Sequence, residues 1–241
     1  MRLDKLLSHS GFGSRKEVKQ LLKKGQVAVN ELIVKDGKFS VNPDRDNVRV
    51  GQEIVSYQAN VYFLLNKPAG VISATEDKRE KTVVDLLKTE DFRKDIFPVG
   101  RLDKDTTGLL LLTNDGKLAH ELLSPKKHIE KVYTALVSGI MTEKDVRQFK
   151  EGIIISGGEK CLPAELMITS VDEEKKQCTI ALTLVEGKFH QVKRMVAATG
   201  NKVEQLERVK MGSLLLDDEL AYGAYRPLTA AELSALKTTE T

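Results

Sequence analysis

Four consecutive leucines, Leu109 to Leu112, sit inside the stretch VGRLDKDTTGLLLLTNDG, residues 99–116. A segment apolar at every position has no polar side to offer water, so it reads as a strand covered on both faces. A sheet with two covered faces needs a sizeable core, which a chain of 241 residues with 41% hydrophobic content can build. Three charged residues, Arg101, Asp103 and Asp105, stand just before the leucines. FPVGRL reads as extended, and strand alternation sets Arg101 and Asp103 on one side with Leu102 on the other. Asn114-Asp115-Gly116 reads as a turn, and KLAHELLS as a helix ended by Pro125. The polar loop from Asp103 to Thr107 therefore lies at the ends of two core strands. Taken alone, Arg101 and Asp103 are either a structural ion pair or a site, and Asp105, Thr106 and Thr107 can simply cap a turn.

Several function classes are excluded early. Two cysteines, Cys161 and Cys178, make neither a disulfide framework nor a metal cluster, and the four histidines lack ligand spacing. No metal and no cofactor is expected. No phosphate-cradling glycine loop or pair of metal-binding carboxylates appears, which disfavours a phosphoryl-transfer enzyme. No segment approaches the roughly 18 apolar residues of a membrane span, and no apolar leader is visible at the N-terminus. A soluble protein of a reducing cytoplasm is expected. No oligomerisation stripe stands out, so a monomer is the default.

Charge is unevenly distributed. Residues 1–38 carry nine Lys/Arg against four acids, a net of +5 in a chain whose total is +3. A basic module joined to a nearly neutral one suits a polyanion gripped at one end, although a merely solvated basic face has the same composition. RLDKLLSHSGFGSRKEVKQLLKKGQVAVN reads as a short helix ending near Gly11, an N-cap at Ser14 and a second helix from Arg15 to Lys24 stopped by Gly25. Lys16, Lys19 and Lys23 share one face of that helix, opposite Val18, Leu21 and Leu22. Short strands are expected at QVAVN, KFSVN and EIVSYQ. These residues resemble an S4 domain, a small RNA-binding module of two helices and a bent sheet. Arg2-Leu3-Asp4, Ser14-Arg15 and Gly25-x-Val27-x-Val29-Asn30 carry the likeness. The resemblance implies a domain over residues 1–58 that contacts RNA through Arg2, Lys5, Arg15, Lys16 and Lys19.

A second unit, residues 59–241, begins with a buried strand at Val61 to Leu65 that gives way to Asn66-Lys67-Pro68-Ala69-Gly70. Pro68 fixes its φ and Gly70 tolerates a positive one, so a tight turn is expected, with Lys67 read as an ordinary turn lysine. Further on, LVEGKFHQVKRMVAATGNKV passes from an apolar strand through Gly187-Lys188-Phe189-His190 into a helix carrying Lys193 and Arg194 in its first turn. Cations belong at helix C-termini. Placing two at the other end intensifies a positive field, which suits a phosphate or a buried carboxylate.

Together NKPAGVIS, GRLDKDTTGLLLLTNDG, HIEKVYTALVSG and EGKFHQVKRMVAATGN resemble the pseudouridine synthases of the ribosomal small subunit synthase A type, motif by motif and in order. The resemblance implies an α+β chain: the S4 domain, then a catalytic domain built on a long mixed, mostly antiparallel sheet flanked by helices. It implies isomerisation of a uridine in 16S rRNA or a partly assembled small subunit, with the target base flipped out of its stack and no cofactor consumed. Carried over by position, Asp103 matches the required aspartate, Lys193 the active-site basic residue, Tyr133 the active-site tyrosine and Arg101 the arginine that fills the gap left by the extruded nucleotide. In VEQLERVKMGSLLL, Leu206 would pack near the base and Arg208 would meet the RNA backbone, as would Arg194. Relatives acting on 23S rRNA share most of these motifs. A catalytically silent assembly factor on the same fold is the other alternative, and the intact Asp103, Tyr133 and Lys193 speak against it. Finally, YGAYRPLTAAELSAL reads as a turn followed by a short helix capped by Thr229.

Overall fold

The computed structural model describes residues 1–43, 45–55 and 60–238. Their contacts divide the chain into two units, Met1–Asn60 with Lys88–Lys94, and Val61–Leu87 with Asp95–Thr241. The expected boundary between residues 58 and 59 lies outside the described residues, as do the end of EIVSYQ and the last three residues. None of the described helices is long and apolar enough to cross a membrane.

The first unit holds α1 (Leu3–His9), α2 (Arg15–Lys23) and the strands β1 (Val27–Val29), β2 (Leu32–Ile33), β3 (Val48–Val50) and β4 (Glu53–Ile54) in the order β2-β1-β3-β4. Ser14 starts α2 through a reciprocal capping box: its backbone N–H donates to Glu17 Oε2 at 2.7 Å and its hydroxyl accepts from the Glu17 N–H. Val18 and Leu22 bury one stripe of α2 against Leu3, Leu6 and Leu7, leaving Lys16, Lys19 and Lys23 in solvent. One expected strand is absent. Lys38–Asn42 is not part of the sheet; Val41 N–H bonds to Met1 O and the Phe39 carbonyl accepts from Leu3, so this segment pins the N-terminus. The strand chemistry falls to Leu32–Ile33 and Val48–Val50, which flank β1.

The second unit is built on a mixed sheet. Its elements are β5 (Tyr62–Lys67), β6 (Phe97–Pro98), β7 (Thr107–Thr113), α3 (Gly116–Leu123), β8 (Lys131–Ser138), α4 (Glu143–Glu151), β9 (Ile154–Ile155), β10 (Glu159–Lys160), β11 (Glu165–Asp172), β12 (Gln177–Leu184), α5 (Gln191–Ala197), β13 (Lys202–Met211), β14 (Leu214–Leu215), β15 (Tyr225–Pro227) and α6 (Ala230–Thr238). The strand order is β11-β12-β8-β13-β7-β5-β15, with β14 beside β13 and β6 beside β7. Every pairing in it is antiparallel except β13 with β7, which meet in parallel over two register positions, Glu207 with Thr107 and Arg208 with Gly108.

The leucine strand is covered on both faces, as its composition requires. Leu109 and Leu111 pack with Leu64 under α3 and α6, whereas Leu110 and Leu112 pack with Phe63, Leu65, Val83 and Ile96 on the opposite face. In the other half of the sheet, α4 and α5 cover Ala135, Val137, Ile180 and Leu182. Asp115 caps α3 by accepting from the Lys117 and Leu118 N–H groups at 3.1 Å, so the expected turn doubles as a helix start. Thr229 and Glu232 form the matching box ahead of α6. Tyr133 packs against both the cluster under α4 and α5 and the cluster around Leu110. It therefore marks the seam between the halves.

Candidate active site

The loop between β6 and β7 carries Arg101, Asp103 and Asp105, and it is held from below. Ser73 brackets Leu102: its hydroxyl donates to the Leu102 carbonyl at 2.9 Å and accepts from the Leu102 N–H at 3.0 Å. Gly70 N–H donates to the Lys104 carbonyl at 2.8 Å. Beneath these lies Lys67, 0% exposed, whose ammonium donates to the carbonyls of Pro68 (3.0 Å), Lys104 (3.3 Å) and Thr106 (2.8 Å). Burial pulls Lys67 down to about 8, against the opposing pull of the Asp105 and Asp103 charges. It is no turn lysine. The signal lies in its phase: Phe63, Leu65 and Lys67 alternate along one face of β5, and that face is buried.

Above the loop, Lys193 of α5 reaches across with Nζ 3.0 Å from Asp103 Oδ2 and 2.6 Å from Asp105 Oδ1. Burial lowers the Lys193 pKa, but the hydrogen bonds to Asp105 and Asp103 outweigh it and hold the ammonium above the usual lysine range. The Lys193 hydrogen bond likewise keeps the Asp105 carboxyl low. His190 Nε2 lies 3.5 Å from Asp103 Oδ1. α5 is aimed by its own tethers: buried Gln191 accepts from the Lys188 N–H at 2.8 Å and donates to Glu186 at 2.5 Å. Arg194 donates to Ser156 O at 2.6 Å, to Ser156 Oγ at 3.2 Å and to Phe189 O at 3.2 Å, and pairs with Glu159. Thus Lys193 faces the aspartates, while its neighbour, expected to reach RNA, is spent on the β9–β10 hairpin.

Asp103 opens onto a cleft of about 90 Å³ lined by Arg101, Tyr133, His190, Val192 and Leu206. Arg101 is exposed and makes no hydrogen bond or ion pair with any described residue. Tyr133 comes from β8, Leu206 from β13 and Asp103 from the β6–β7 loop, so the cleft straddles the seam of the sheet. Four of the residues singled out from sequence, Arg101, Asp103, Tyr133 and Leu206, line one space, and Lys193 binds the carboxylate within it. Arg208 departs from expectation. It is 2% exposed, with Nε donating to Leu109 O at 2.9 Å inside the sheet, so it does not present itself to an RNA backbone. Its phase on β13, register partner of Tyr133, turns it inward. In the first unit, Lys5, Arg15, Lys16 and Lys19 are exposed, while Arg2, also exposed, is paired with Asp4. Sequence reasoning takes Lys67 for a turn lysine and gives no role to His190 or Phe189.

The arrangement offers an anchored carboxylate with a shared cation, beside an aromatic ring and an apolar wall. Comparison with known proteins gives it a context. Residues 61–198 match the family model described as RNA pseudouridylate synthase, and residues 1–47 match the S4 domain model. The chain is 51% identical over 98% of its length to an uncharacterized RNA pseudouridine synthase, YtzG, of Bacillus subtilis, covering 98% of that protein. It is 37% identical to the ribosomal small subunit pseudouridine synthase A of Yersinia pestis, over 98% of both chains. Against the ribosomal large subunit pseudouridine synthase B of Bacillus subtilis it is 41% identical over 98% of this chain and 95% of the other. A crystal structure of a pseudouridylate synthase superposes with a TM-score of 0.67 at 35% identity, covering 98% of this chain and 99% of that one. The chain belongs to the pseudouridine synthase family, isomerases that act on uridines in RNA, and carries an S4 domain at its N-terminal end.

Proposed function

We propose that this protein isomerises one uridine of small-subunit (16S) rRNA to pseudouridine, with Asp103 as the essential carboxylate and the target base flipped into the cleft. The observation that carries the reading is the Asp103 carboxylate at the cleft head, fixed by Lys193 at 3.0 Å and facing Tyr133 and Leu206. The reaction breaks the N1–C1′ bond, turns the uracil and joins C5 to C1′; C5 loses a proton and N1 gains one, so no redox partner is needed. Asp103 serves as nucleophile at C1′ or at the ring, or as the base that takes a ribose proton. All three routes use an ionised carboxylate, and Lys193 supplies the compensating charge. Tyr133 stacks on the uracil and its hydroxyl assists proton removal from C5, and Leu206 packs against the base. Arg101, exposed and unpaired among the described residues, occupies the gap left in the RNA stack. Arg2, Lys5, Arg15, Lys16 and Lys19 hold RNA from the S4 domain. The protein works as a cytoplasmic monomer on 16S rRNA or a partly assembled small subunit.

The likeness to small subunit synthase A supports the 16S target, and the comparable likeness to large subunit synthase B keeps 23S as the second reading. The test maps pseudouridine, by chemical adduct and reverse-transcription stop, in both rRNAs from cells with and without the gene. The expected result is that one 16S stop disappears and is restored by the wild-type gene and not by Asp103→Asn, whose turnover should fall about a thousandfold or more. A stop that disappears from 23S instead would correct the substrate. Full restoration by Asp103→Asn would sink the role given to the carboxylate.

A further inference from the structure

Phe189 is placed where apolar side chains are rarely left. It is 73% exposed, in a chain that has no tryptophan and only seven phenylalanines. Its ring is nonetheless stacked: its centroid lies 3.8 Å from that of His190 with the planes 22° apart. His190 is held in turn, with a left-handed backbone at φ 49° and its side chain lining the cleft 3.5 Å from Asp103. A residue other than glycine adopts that conformation at a cost, and it persists because its surroundings hold it there. Here Arg194 grips the Phe189 carbonyl and Gln191 grips the Lys188 N–H. The result is a flat aromatic face, already stacked on one side and open on the other, at the mouth of the cleft.

We propose that the Phe189–His190 pair is a base-stacking platform that receives, on the open face of Phe189, a nucleobase neighbouring the flipped uridine. The inference rests on the proposed reading of the cleft as the uridine site and adds a second point of attachment to it. A nucleobase fits better than an apolar protein surface, because Phe189 is flanked in the chain by Lys188 and His190, and both of these line the cleft proposed for the uridine. Extruding one base leaves its neighbours unstacked, and an aromatic ring replaces the missing stacking whatever the base. Lys188, Phe189 and His190 adjoin the helix that carries Lys193, so a base held here shares one rigid segment with the cation that fixes Asp103.

The test uses the full chain with 16S rRNA, 23S rRNA and partly assembled small subunits, all from cells lacking the gene. Phe189→Trp introduces the chain's single tryptophan. Its emission, corrected for absorption with free N-acetyltryptophanamide, should drop saturably as the modified rRNA is added. Phe189→Leu, which keeps bulk without a π-face, should raise KM about tenfold with kcat changed less than about threefold, the size expected for one base–aromatic stack. Unchanged emission while filter retention shows RNA bound, together with a wild-type KM for Phe189→Leu, would overturn the platform and leave the synthase reading standing. So would a Phe189→Leu variant that loses a protein partner but keeps wild-type kinetics on RNA. If the wild-type protein forms no pseudouridine in either rRNA or in the particles, the reading of the cleft fails first and the platform fails with it. Should Phe189→Leu fold poorly, the tryptophan signal still decides.

Discussion

One ammonium shared by two carboxylates is an asymmetric arrangement, because Asp103 is mostly shielded while Asp105 is open to solvent. Removing the cation leaves both acids facing each other across a partly dry loop, which favours protonating one of them. Lys193→Met is accordingly expected to lower kcat on the order of a hundredfold, and Asp105→Asn, which leaves the Asp103 pair intact, by less than about fivefold. Equal reductions in single-turnover assays would contradict this division. Lys67 makes a prediction of opposite electrostatic sign. Its pKa falls from 10.5 to about 8 in the fold, so between those values the unfolded chain holds a proton that the folded one has released. Stability contributed at this position must therefore rise with pH across that window, the burial penalty on the charged form being fully present below pH 8. Urea unfolding of the wild type and Lys67→Met at pH 7.5, 8.5 and 9.5 should show the gap between them widening in favour of the wild type; a constant gap would mean that Lys67 does not titrate there. Both residues show what a sequence displays and what it hides. The shared motifs locate Lys193 and Asp103, but they do not say that Lys67 is buried, because a lysine is buried only where folding brings carbonyl groups to its ammonium, and those of Lys104 and Thr106 lie far along the chain.

Between elements, the backbones of β13 and β7 approach closely at Gly108. Gly108 has a φ of 97°, and a Cβ there would lie 2.3 Å from the Arg208 carbonyl oxygen. Only glycine lets the two backbones meet. Gly108→Ala should cost roughly 3 kcal/mol or more, from strain and from separating the strands, read as a lower urea midpoint with an unchanged m-value. A shift below about 0.5 kcal/mol would show that the strands can part freely. Elements with strong local signals are legible in the sequence: β7 from its unbroken leucines, α2 from its cap and stripe, α6 from its Thr229 cap. Lys38–Asn42 is not, because its alternation describes any extended chain and its partner is the N-terminus rather than a neighbouring hairpin strand. Arg208 misleads for a related reason. Arg208 shares β13 with Lys202, Glu204, Glu207 and Lys210, so it looks solvated until the fold shows it buried.

At the scale of the whole molecule, the proposed reading divides RNA binding between a basic helix in the first unit and a cleft in the second, and the two should respond differently to salt. Each phosphate that a protein cation ceases to neutralise reduces the slope of log K against log salt by about 0.7 to 0.9. The double change Lys16→Ala with Lys19→Ala should flatten the slope by about 1.5 and weaken binding of all rRNA fragments alike, whereas changes in the cleft should alter turnover with the slope intact. An unaltered slope would remove the helix face from the RNA footprint. The sheet that bears the cleft has a further property. Two antiparallel leaves share one parallel joint of two register positions, and the residues around the cleft come from both leaves. A uridine seated between Asp103 on one leaf and Tyr133 and Leu206 on the other touches both at once. On the proposed reading, the bound substrate acts as a tie across that parallel joint. Occupancy and cohesion would then be linked, so that a filled cleft favours the joined sheet over the interval in which the detached ring must turn without escaping.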